Sequence, residues 1–421
     1  MTQVTEGAHA PPVEGTNMLD RKIILAAALA LTTGACSTAG SNQSLPLAPG
    51  SALDLSPART RSTGYVSVLK TLVRQVTIGS TVDPLNGDQN PYGLALAPGK
   101  IPGSKVVSGD AYVCNFNDKA NVQGTGTTIV RLAPKPASKP ARVLQSASLD
   151  GCAATAFDSG NELWAASFSA GDITLYDNTL KLKKTFKGGT YVHPWAVSYT
   201  TTGGLYPTAA VFTADAATGS IVLTGYFANG YWMYPGKAII SGFPVNHGKP
   251  GNILGPSGLS FDPYATDAKL CGVSPCGALY VADGVSNTVV AIYNVLNLRN
   301  TNSIIVGKTG KTFTGPEASW ARVLYAGAPL NGPISTALVY PTATNPRKPG
   351  NLVVGNTLDP AGKNLLIEIS PTGKLLYSAN VDKGAAGAIF GISAWPIASA
   401  GATTQLFFND DNSNTLQVLE K

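Results

Sequence analysis

The chain has 421 residues and a formal net charge of +6, with only 13% charged residues but 46 glycines and 29 prolines. This excludes a helical bundle, because Gly and Pro are costly inside helices, and it suits many short strands joined by tight turns. The hydrophobic fraction of 44% excludes a disordered main body. Lysine and arginine occur in runs no longer than a pair, so we expect no nucleic-acid partner, since such partners require a basic patch.

The N-terminal region carries the pattern of an export signal. The segment that starts at Met18 has a basic pair, Arg21-Lys22, then an apolar run, then small residues before Cys36. The apolar run is too short for a membrane-spanning helix and is typical of a cleaved signal peptide. Residues 1–17 are polar and precede this second methionine, so translation starts either at Met1 or at Met18.

The run Thr33-Gly-Ala-Cys36 resembles the bacterial lipobox, in which the cysteine is lipidated and becomes the mature N-terminus. Thr33 departs from that motif, which usually has an aliphatic residue there, and an ordinary signal peptide is the alternative. The resemblance implies a periplasmic or outer-membrane-anchored lipoprotein, and Ser37 matches outer-membrane sorting. We predict that residues 1–35 are extension and signal peptide, and that the small, polar residues 36–63 are a flexible tether from the anchor.

Beyond the tether, one hairpin pattern repeats. Residues 279–292 and 406–419 align without a gap as a hydrophobic run, an Asp, a polar turn containing Ser-Asn-Thr, and a second hydrophobic run. An Asp at the start of a turn can bind the turn's backbone amides through its short side chain. Looser copies bring the total to six, and their strand-end positions are Asn115, Ser167, Asp215, Asp283, Asn356 and Asp410.

A short apolar segment, often beginning with Pro and a small residue, precedes most copies, as in Pro91-Tyr-Gly, Pro194-Trp-Ala and Pro256-Ser-Gly. Together with the hairpins, this pattern resembles NHL repeats over about residues 90–421. The resemblance implies an all-β fold, a six-bladed β-propeller spanning 64–421, in which small residues suit innermost strands that crowd around a central channel.

The sixth copy has no fourth strand after it. An unpaired edge there would be open to pairing with another chain. We therefore predict that an N-terminal strand closes the last blade, supplied by either residues 65–73 or residues 75–78.

Four cysteines remain besides Cys36. Cys271 and Cys276 are predicted to close a small loop, and Cys114 and Cys152, at inner-strand positions of neighbouring repeats, are predicted to join two blades. An even number in an exported protein favours disulfides. A zinc site is the alternative, but histidines to complete its ligand set are not near in the sequence.

The repeat alignment places eight candidate ligand-binding residues at the channel face: Tyr92, Asn115, His193, Trp195, Asp215, Asp283, Asn356 and Asp410. Gluconolactonase-like propellers hold calcium through Glu, Asn and Asp at the channel, and calcium favours such oxygens. Similarity to such propellers would make calcium a candidate cofactor, with its ligands left open. We favour turn chemistry instead, because the Asp or Asn recurs with the repeat as a folding requirement would.

Other chemistry is limited. The only histidines are His9, His193 and His247, and His9 precedes the signal sequence, which excludes the three-histidine metal site of a peptide-amidating lyase. The aromatic run Tyr226–Tyr234 predicts either an exposed apolar patch or packing between blades.

We therefore predict a binding module that takes a small molecule, a glycan or a protein at its channel face, rather than an enzyme. The first alternative is a calcium-dependent hydrolase or lyase of gluconolactonase-like type at the central channel. It requires at least three acidic, amide or imidazole side chains that converge on one point. The second alternative is a purely structural envelope protein. Membrane contact is predicted only through the lipid anchor.

Overall fold

The computed structural model describes residues 64–201, 209–226, 232–247, 255–272, 274–341, 348–357, 363–396 and 401–421. In these ranges 26 strands form six small sheets, and helical structure is limited to the 3₁₀ turns Leu69–Thr71, Ala147–Leu149, Val295–Asn297 and Ala318–Trp320. The all-β prediction is confirmed. The predicted signal peptide, Cys36 and the tether lie outside the described residues, as do the side chains of the aromatic run 226–234. No helix among the described residues is long and apolar enough to cross a membrane.

The strands follow the repeats in chain order. The first strand, β1 (Arg74–Ser80), precedes blade one. Blade one contains β2 (Gln89–Leu96), β3 (Ala111–Asn117), β4 (Thr128–Leu132) and β5 (Ala141–Gln145). Blade two contains β6 (Cys152–Phe157), β7 (Leu163–Ser167), β8 (Asp172–Tyr176) and β9 (Leu182–Lys187). Blade three begins with β10 (Pro194–Thr201), β11 (Ala209–Asp215), β12 (Ser220–Tyr226) and β13 (Trp232–Ser241).

The second half continues the series. Blade four begins with β14 (Pro256–Asp262), β15 (Ala278–Asp283) and β16 (Thr288–Tyr293), which are followed by β17 (Ile304–Val306), β18 (Phe313–Thr314) and β19 (Ala321–Ala326). Blade five contains β20 (Pro333–Val339), β21 (Asn351–Asn356), β22 (Asn364–Ile369) and β23 (Leu375–Asp382). Blade six contains β24 (Ile389–Trp395), β25 (Gln405–Asp410) and β26 (Thr415–Glu420).

The six sheets close into a ring. The innermost strands β2, β6, β10, β14, β20 and β24 contact one another in that order, and β24 contacts β2. Every residue of the second strands β3, β11 and β15 is buried, because each sheet covers its apolar faces only with its two neighbours. The predicted six-bladed β-propeller is confirmed.

The ring is closed by the N-terminal strand, as predicted. β1 pairs antiparallel with β26, from Arg74 opposite Glu420 to Ser80 opposite Thr415, and becomes the outermost strand of blade six. Of the two candidate segments, residues 75–78 form this strand. Residues 65–73 instead contain the 3₁₀ turn Leu69–Thr71, which packs against β23 of blade five.

Blade four departs from the simple repeat. After β16 the chain crosses to blade three, where β17 runs parallel to β13 with Ile240 opposite Ile304, and β18 pairs beyond it. The chain then returns as β19, the outermost strand of blade four. Val295, Leu298 and Ile304 of this excursion are buried in the core that blades three and four share. The excursion therefore ties the two blades together.

The Ser-Asn-Thr turns also join neighbouring blades. Asn287 and Asn414 adopt left-handed backbone conformations, with φ of 52° and 50°, which Asn tolerates better than most residues. The Asn287 Oδ1 accepts a hydrogen bond from the Gly332 amide at 2.7 Å, and the Asn414 Oδ1 accepts one from the Asn90 amide at 2.7 Å. Each acceptor holds the entry to the next blade's innermost strand, so the motif serves ring assembly as well as the turn.

Both predicted disulfides are present. Cys114–Cys152 joins β3 to β6, and Cys271–Cys276 closes a loop between β14 and β15, with Cα atoms 5.6 and 5.5 Å apart. One detail of the prediction is wrong, because Cys114 lies on the second strand of its blade and not on the innermost strand.

Small residues in the innermost strands reflect close packing between blades. A Cβ atom on Gly93 would lie 2.9 Å from the Cα of Ala154 in the next blade. A Cβ atom on Gly391 would lie 2.6 Å from the Cβ of Leu94. Both approaches are too short for a real side chain, which confirms the predicted crowding around the channel.

Candidate functional site

Each innermost strand contains a bulge near its first residue. The pairing register shifts there in all six blades, so one residue per strand is displaced from the ladder. The displaced residues are all buried and line one central cavity: Tyr92, Ala153, Trp195, Ser257, Ile334 and Phe390. We call the end of the channel where the innermost strands begin the upper end, and the opposite end the lower end.

Aromatic rings close the upper end. The cluster that we call the aromatic plug consists of Tyr92, Phe116, Phe168, Trp195 and Phe390, none of which is more than 6% exposed. Tyr92 stacks between Phe116 and Phe390, with ring centroids 4.2 and 3.7 Å away. Trp195 meets Phe116 edge-on at 5.5 Å. Two predicted ligand-binding aromatics, Tyr92 and Trp195, are therefore buried in packing that fills the channel.

His193 lies at the edge of the plug. Its ring stacks on Phe168 with centroids 4.2 Å apart, and its Nδ1 lies 2.9 Å from the carbonyl oxygen of Phe168, to which it donates. The imidazole is half-buried and is oriented by these two contacts.

The predicted oxygen ligands bind their own hairpins. Asp215 is the fullest case, because its Oδ2 accepts from the amides of Val192 and His193 at 2.7 and 3.0 Å. Its Oδ1 accepts from the amides of Ala217 and Thr218 at 3.1 and 3.0 Å. Both carboxylate oxygens are thus engaged by backbone donors in the turn and in the entry to blade three.

The other four differ in what they bind. Asp283 accepts from the Val285 amide at 3.0 Å, and Asp410 accepts from the Ser413 hydroxyl at 2.8 Å, both within their turns. Asn356 accepts from the amide of Asn331 at 3.1 Å and donates to the carbonyl of Pro329 at 2.6 Å, so it holds the segment that enters its blade. Asn115 donates to the Thr128 hydroxyl at 3.3 Å, and its Oδ1 is buried without a hydrogen-bond partner among the described residues. Turn chemistry therefore accounts for Asp283 and Asp410.

A calcium ion does not fit this residue set. The ion needs several oxygen ligands directed at one point, whereas the oxygens of Asp215, Asp283, Asn356 and Asp410 accept hydrogen bonds in four separate blades. Within the described ranges, no group of three or more His, Cys, Asp or Glu side chains is arranged to hold a metal ion. We therefore derive no metal-dependent step from them.

Asp411, which the sequence analysis did not single out, lies on the upper rim beside Asp410. Burial, and then the charge of Asp410, raise the pKa of Asp411 to about 7. The side-chain amide of Asn90 donates to the Asp411 carboxylate, and its oxygen accepts from Asn117 at 2.7 Å. This network crosses the junction between blades six and one. In the sequence, the two adjacent aspartates at the start of a hairpin turn could have indicated it.

Below the plug the channel is open. A cavity of about 150 Å³ under the plug is followed by one of about 250 Å³ at the lower end, and both are lined by all six innermost strands. We call the lower cavity the lower cup. It is lined by hydroxyl groups and by aromatic or apolar side chains, without a charged residue among the described lining. The hydroxyl residues are Thr155, Ser198, Tyr199, Ser260, Thr336 and Ser393.

The hydroxyls differ in their hydrogen bonding. Ser260 and Thr336 bond to each other at 2.8 Å. The hydroxyl of Thr155, and that of Ser335 in the cavity above, are buried and have no hydrogen-bond partner among the described residues. The Ser, Thr and Ala residues at the fourth and fifth positions of the innermost segments were the overlooked signal in the sequence.

No protein-family model and no curated protein matches this chain. Among solved structures, a gluconolactonase from Xanthomonas campestris is 12% identical, with 82% of this chain and 89% of that chain covered, at a TM-score of 0.49. Virginiamycin B lyase from Staphylococcus aureus is 11% identical over 83% and 98%, at 0.44. A chain of a nidogen/laminin complex is 12% identical over 73% and 85%, at 0.46. Such likeness concerns the fold alone, and on its own repeats and six sheets this chain is an NHL-like six-bladed β-propeller.

Proposed function

We propose that this protein is an exported binding module that takes an uncharged ligand into the lower cup of its propeller. The observation that supports this most directly is the shape and chemistry of the channel. The aromatic plug closes it above, it is open below, and its described lining is uncharged and contains residues with hydroxyl groups from five of the six innermost strands.

The size of the lower cup limits the ligand. Pockets for drug-sized molecules span roughly 300–1,000 Å³, and the lower cup holds about 250 Å³. A small molecule, or one protruding group of a glycan or a protein, matches that volume. Because desolvating a charge without a partner is costly, an uncharged group with hydroxyl or amide functions suits this lining best.

The same lining argues against the calcium-dependent hydrolase or lyase. That chemistry requires an acid, a base or a metal ion within bonding reach of the scissile bond. Of the carboxylates predicted at the channel face, Asp215 binds backbone amides through both of its oxygens, and Asp283 and Asp410 bind donors in their turns.

A blocked cup provides the test. Ser198→Phe places a bulky ring in the lower cup, and Ala147→Phe places the same ring on an exposed 3₁₀ turn away from the channel. We expect saturation-transfer NMR to detect at least one neutral hexose, pentose or N-acetylhexosamine on the wild-type protein. The signal should fall at least tenfold in Ser198→Phe, stay unchanged in Ala147→Phe, and be insensitive to EDTA.

Three results would contradict the proposal. They are silence from every neutral probe on the wild-type protein, an unchanged signal in Ser198→Phe, and a signal that EDTA abolishes. Melting curves of both variants must resemble that of the wild type, so that a lost signal is not a lost fold.

Export and lipid anchoring form the second part of the proposal. They are supported by the signal pattern before Cys36 and by two disulfides, which form and persist in oxidising compartments. In a Gram-negative host, we expect the wild-type protein in the detergent-soluble membrane fraction and the Cys36→Ala variant in the soluble periplasmic fraction. Mass spectrometry of the mature N-terminus should find the lipid on Cys36.

The Ser37→Ala variant is the control and should remain membrane-bound. Wild-type protein in the cytoplasm, or a membrane-bound Cys36→Ala variant, would refute anchoring.

A further inference from the structure

A third cavity lies outside the channel, on the outer side of blade four. It measures about 620 Å³ and lies between the loop at residues 267–270 and the 3₁₀ turn Ala318–Trp320. We call it the rim groove. Its lining includes Asp267, Lys269, Tyr293, Ser319, Trp320 and Arg322. Its volume falls within the range of small-molecule sites.

The walls of the rim groove are held in place. On one side Asp267 Oδ1 accepts from the Lys269 amide at 2.9 Å, and the Cys271–Cys276 disulfide closes the segment that directly follows the loop. On the other side, the chain from β18 to Trp320 belongs to the excursion that blade three binds. A groove with restrained walls loses little conformational entropy when a ligand binds.

Arg322 is positioned by two residues of the groove. One guanidinium nitrogen donates to Asp267 Oδ2 at 2.8 Å, a second donates to the Tyr293 hydroxyl, and the Cζ atom lies 4.7 Å from the centroid of the Tyr293 ring. A guanidinium has five N–H donors, so these contacts orient it and leave donors for a ligand. Its side chain is 43% exposed, so a ligand can reach it.

The charge and the ring in the groove define the ligand class. Lys269 is exposed, and together with Arg322 it places two positive charges in the groove, against one negative charge on Asp267. This excess of one positive charge favours a ligand with a single negative charge. Trp320 is half-buried on the core and offers a flat apolar surface on which a sugar ring can stack. Asp267 and Ser319 supply acceptors for hydroxyl groups, whereas the Asp267 carboxylate would repel a phosphate dianion.

We infer that the rim groove binds an acidic saccharide, with a uronic-acid carboxylate on Arg322 and Lys269 and the sugar ring against Trp320. An arginine held in this way can bind a carboxylate through two parallel N–H donors. The site is independent of the lower cup, so the two proposals can fail separately.

Calorimetric titration with trigalacturonate tests the inference. We expect saturable binding to the wild-type protein, no binding of the neutral maltotriose, and weakening as salt rises. Arg322→Lys loses the two parallel N–H donors, and Trp320→Ala loses the stacking surface, so each should weaken binding about tenfold or more. Lys269→Gln, a substitution at an exposed position, should weaken it severalfold without affecting the fold.

The controls separate this site from the rest of the protein. Lys311→Gln removes one exposed positive charge outside the groove, and Ser198→Phe blocks the lower cup. Neither should change trigalacturonate affinity. The inference is overturned if trigalacturonate does not bind, if Lys269→Gln and Lys311→Gln behave alike, or if inorganic phosphate or an acetylated peptide with a free carboxyl terminus competes for the groove more strongly than trigalacturonate.

Discussion

Replacing Glu368 by alanine should lower the free energy of unfolding by about 3–5 kcal/mol. Glu368 lies on β22, is fully buried, and accepts from the amides of Val68 and Leu69 at 2.9 Å each. It also accepts from the Asn351 side-chain amide at 2.7 Å and from the Ser67 hydroxyl. Alanine would leave several buried donors without an acceptor, and each such donor costs about 1–3 kcal/mol.

Urea denaturation measures the loss, and amide exchange locates it. The amides of Val68 and Leu69 should exchange faster in Glu368→Ala, while those of the blade-two core should keep their relative order of protection. Glu162→Ala is the matched control, because that carboxylate pairs with Lys183 near the surface and should contribute at most about 1 kcal/mol. Equal stability losses in the two variants would show that Glu368 does not hold the N-terminal segment.

The second large effect is expected for Arg142→Met, again about 3–5 kcal/mol. Arg142 on β5 donates through two nitrogens to Asp83, at 2.8 and 2.6 Å, and the Asp83 side chain has no exposed surface. Asp83 lies between β1 and β2, where the chain passes from blade six to blade one. Without Arg142, a buried carboxylate would remain without its partner charge, which explains the size of the loss.

The loss in Arg142→Met should depend on pH. Burial alone would raise the pKa of Asp83, but hydrogen bonds from Arg142 and from the Asn86 and Leu85 amides hold it below its ordinary value. A carboxyl group with a lowered pKa stabilises the fold above its unfolded pKa and loses that contribution as the pH falls through the folded pKa. Without Arg142, burial is no longer offset and the pKa of Asp83 should rise in the folded variant. The difference in stability between wild type and variant should therefore be full near pH 7, shrink as the pH falls through the raised pKa of the variant, and be smallest below the lowered pKa of the wild type.

Denaturation curves from acidic to neutral pH provide the measurement. The double variant Asp83→Asn with Arg142→Met is the control, because it removes the unpaired charge, and it should be more stable than Arg142→Met at neutral pH. If the single variant is as stable as the double variant, or if its deficit persists unchanged in acid, Asp83 is not a buried charge that depends on Arg142.

Glu368 and the Asp83–Arg142 pair flank the same strand. Glu368 holds the chain just before β1, and Arg142 holds it just after. The strand itself pairs with β26 and completes the ring. The chain around β1 is the covalent connection between the last blade and the first. The contacts of Glu368 and Arg142 limit the opening of that junction, so the ring should open there first when they are lost.

Residues that recur with the repeat proved to serve the fold. Asp215, Asp283 and Asp410 bind turn amides or turn hydroxyls, and Asn287 and Asn414 hold the next blade. The displaced residues of the plug vary between blades, but the lower cup is lined at the fourth and fifth positions of the innermost segments, where Ser, Thr and Ala recur. Recurrence alone therefore did not separate the residues of the fold from those of the candidate site.

From the sequence alone, the six hairpins, their turn residues, both disulfide pairs and the class of fold could be predicted. The hairpins and their turns depend on local periodicity and on residues a short distance apart in the chain, such as Asp283 with Ser286. The class of fold followed from the resemblance to NHL repeats, and the Cys114–Cys152 pair from the alignment of neighbouring repeats. For the closing strand, the sequence left two candidate segments, because both have an apolar pattern. Only the pairing with β26 shows which of them forms the strand.

Only the tertiary structure decided what fills the channel. Whether Tyr92 and Trp195 face solvent or pack together depends on six bulges that meet at one axis, and no single repeat contains that information. The same holds for the crossing of β17 to blade three, and for the meeting of Asp267, Tyr293 and Arg322 in the rim groove. Contacts between blades join residues distant in the chain, and many sequences with the same local pattern would fill those spaces differently.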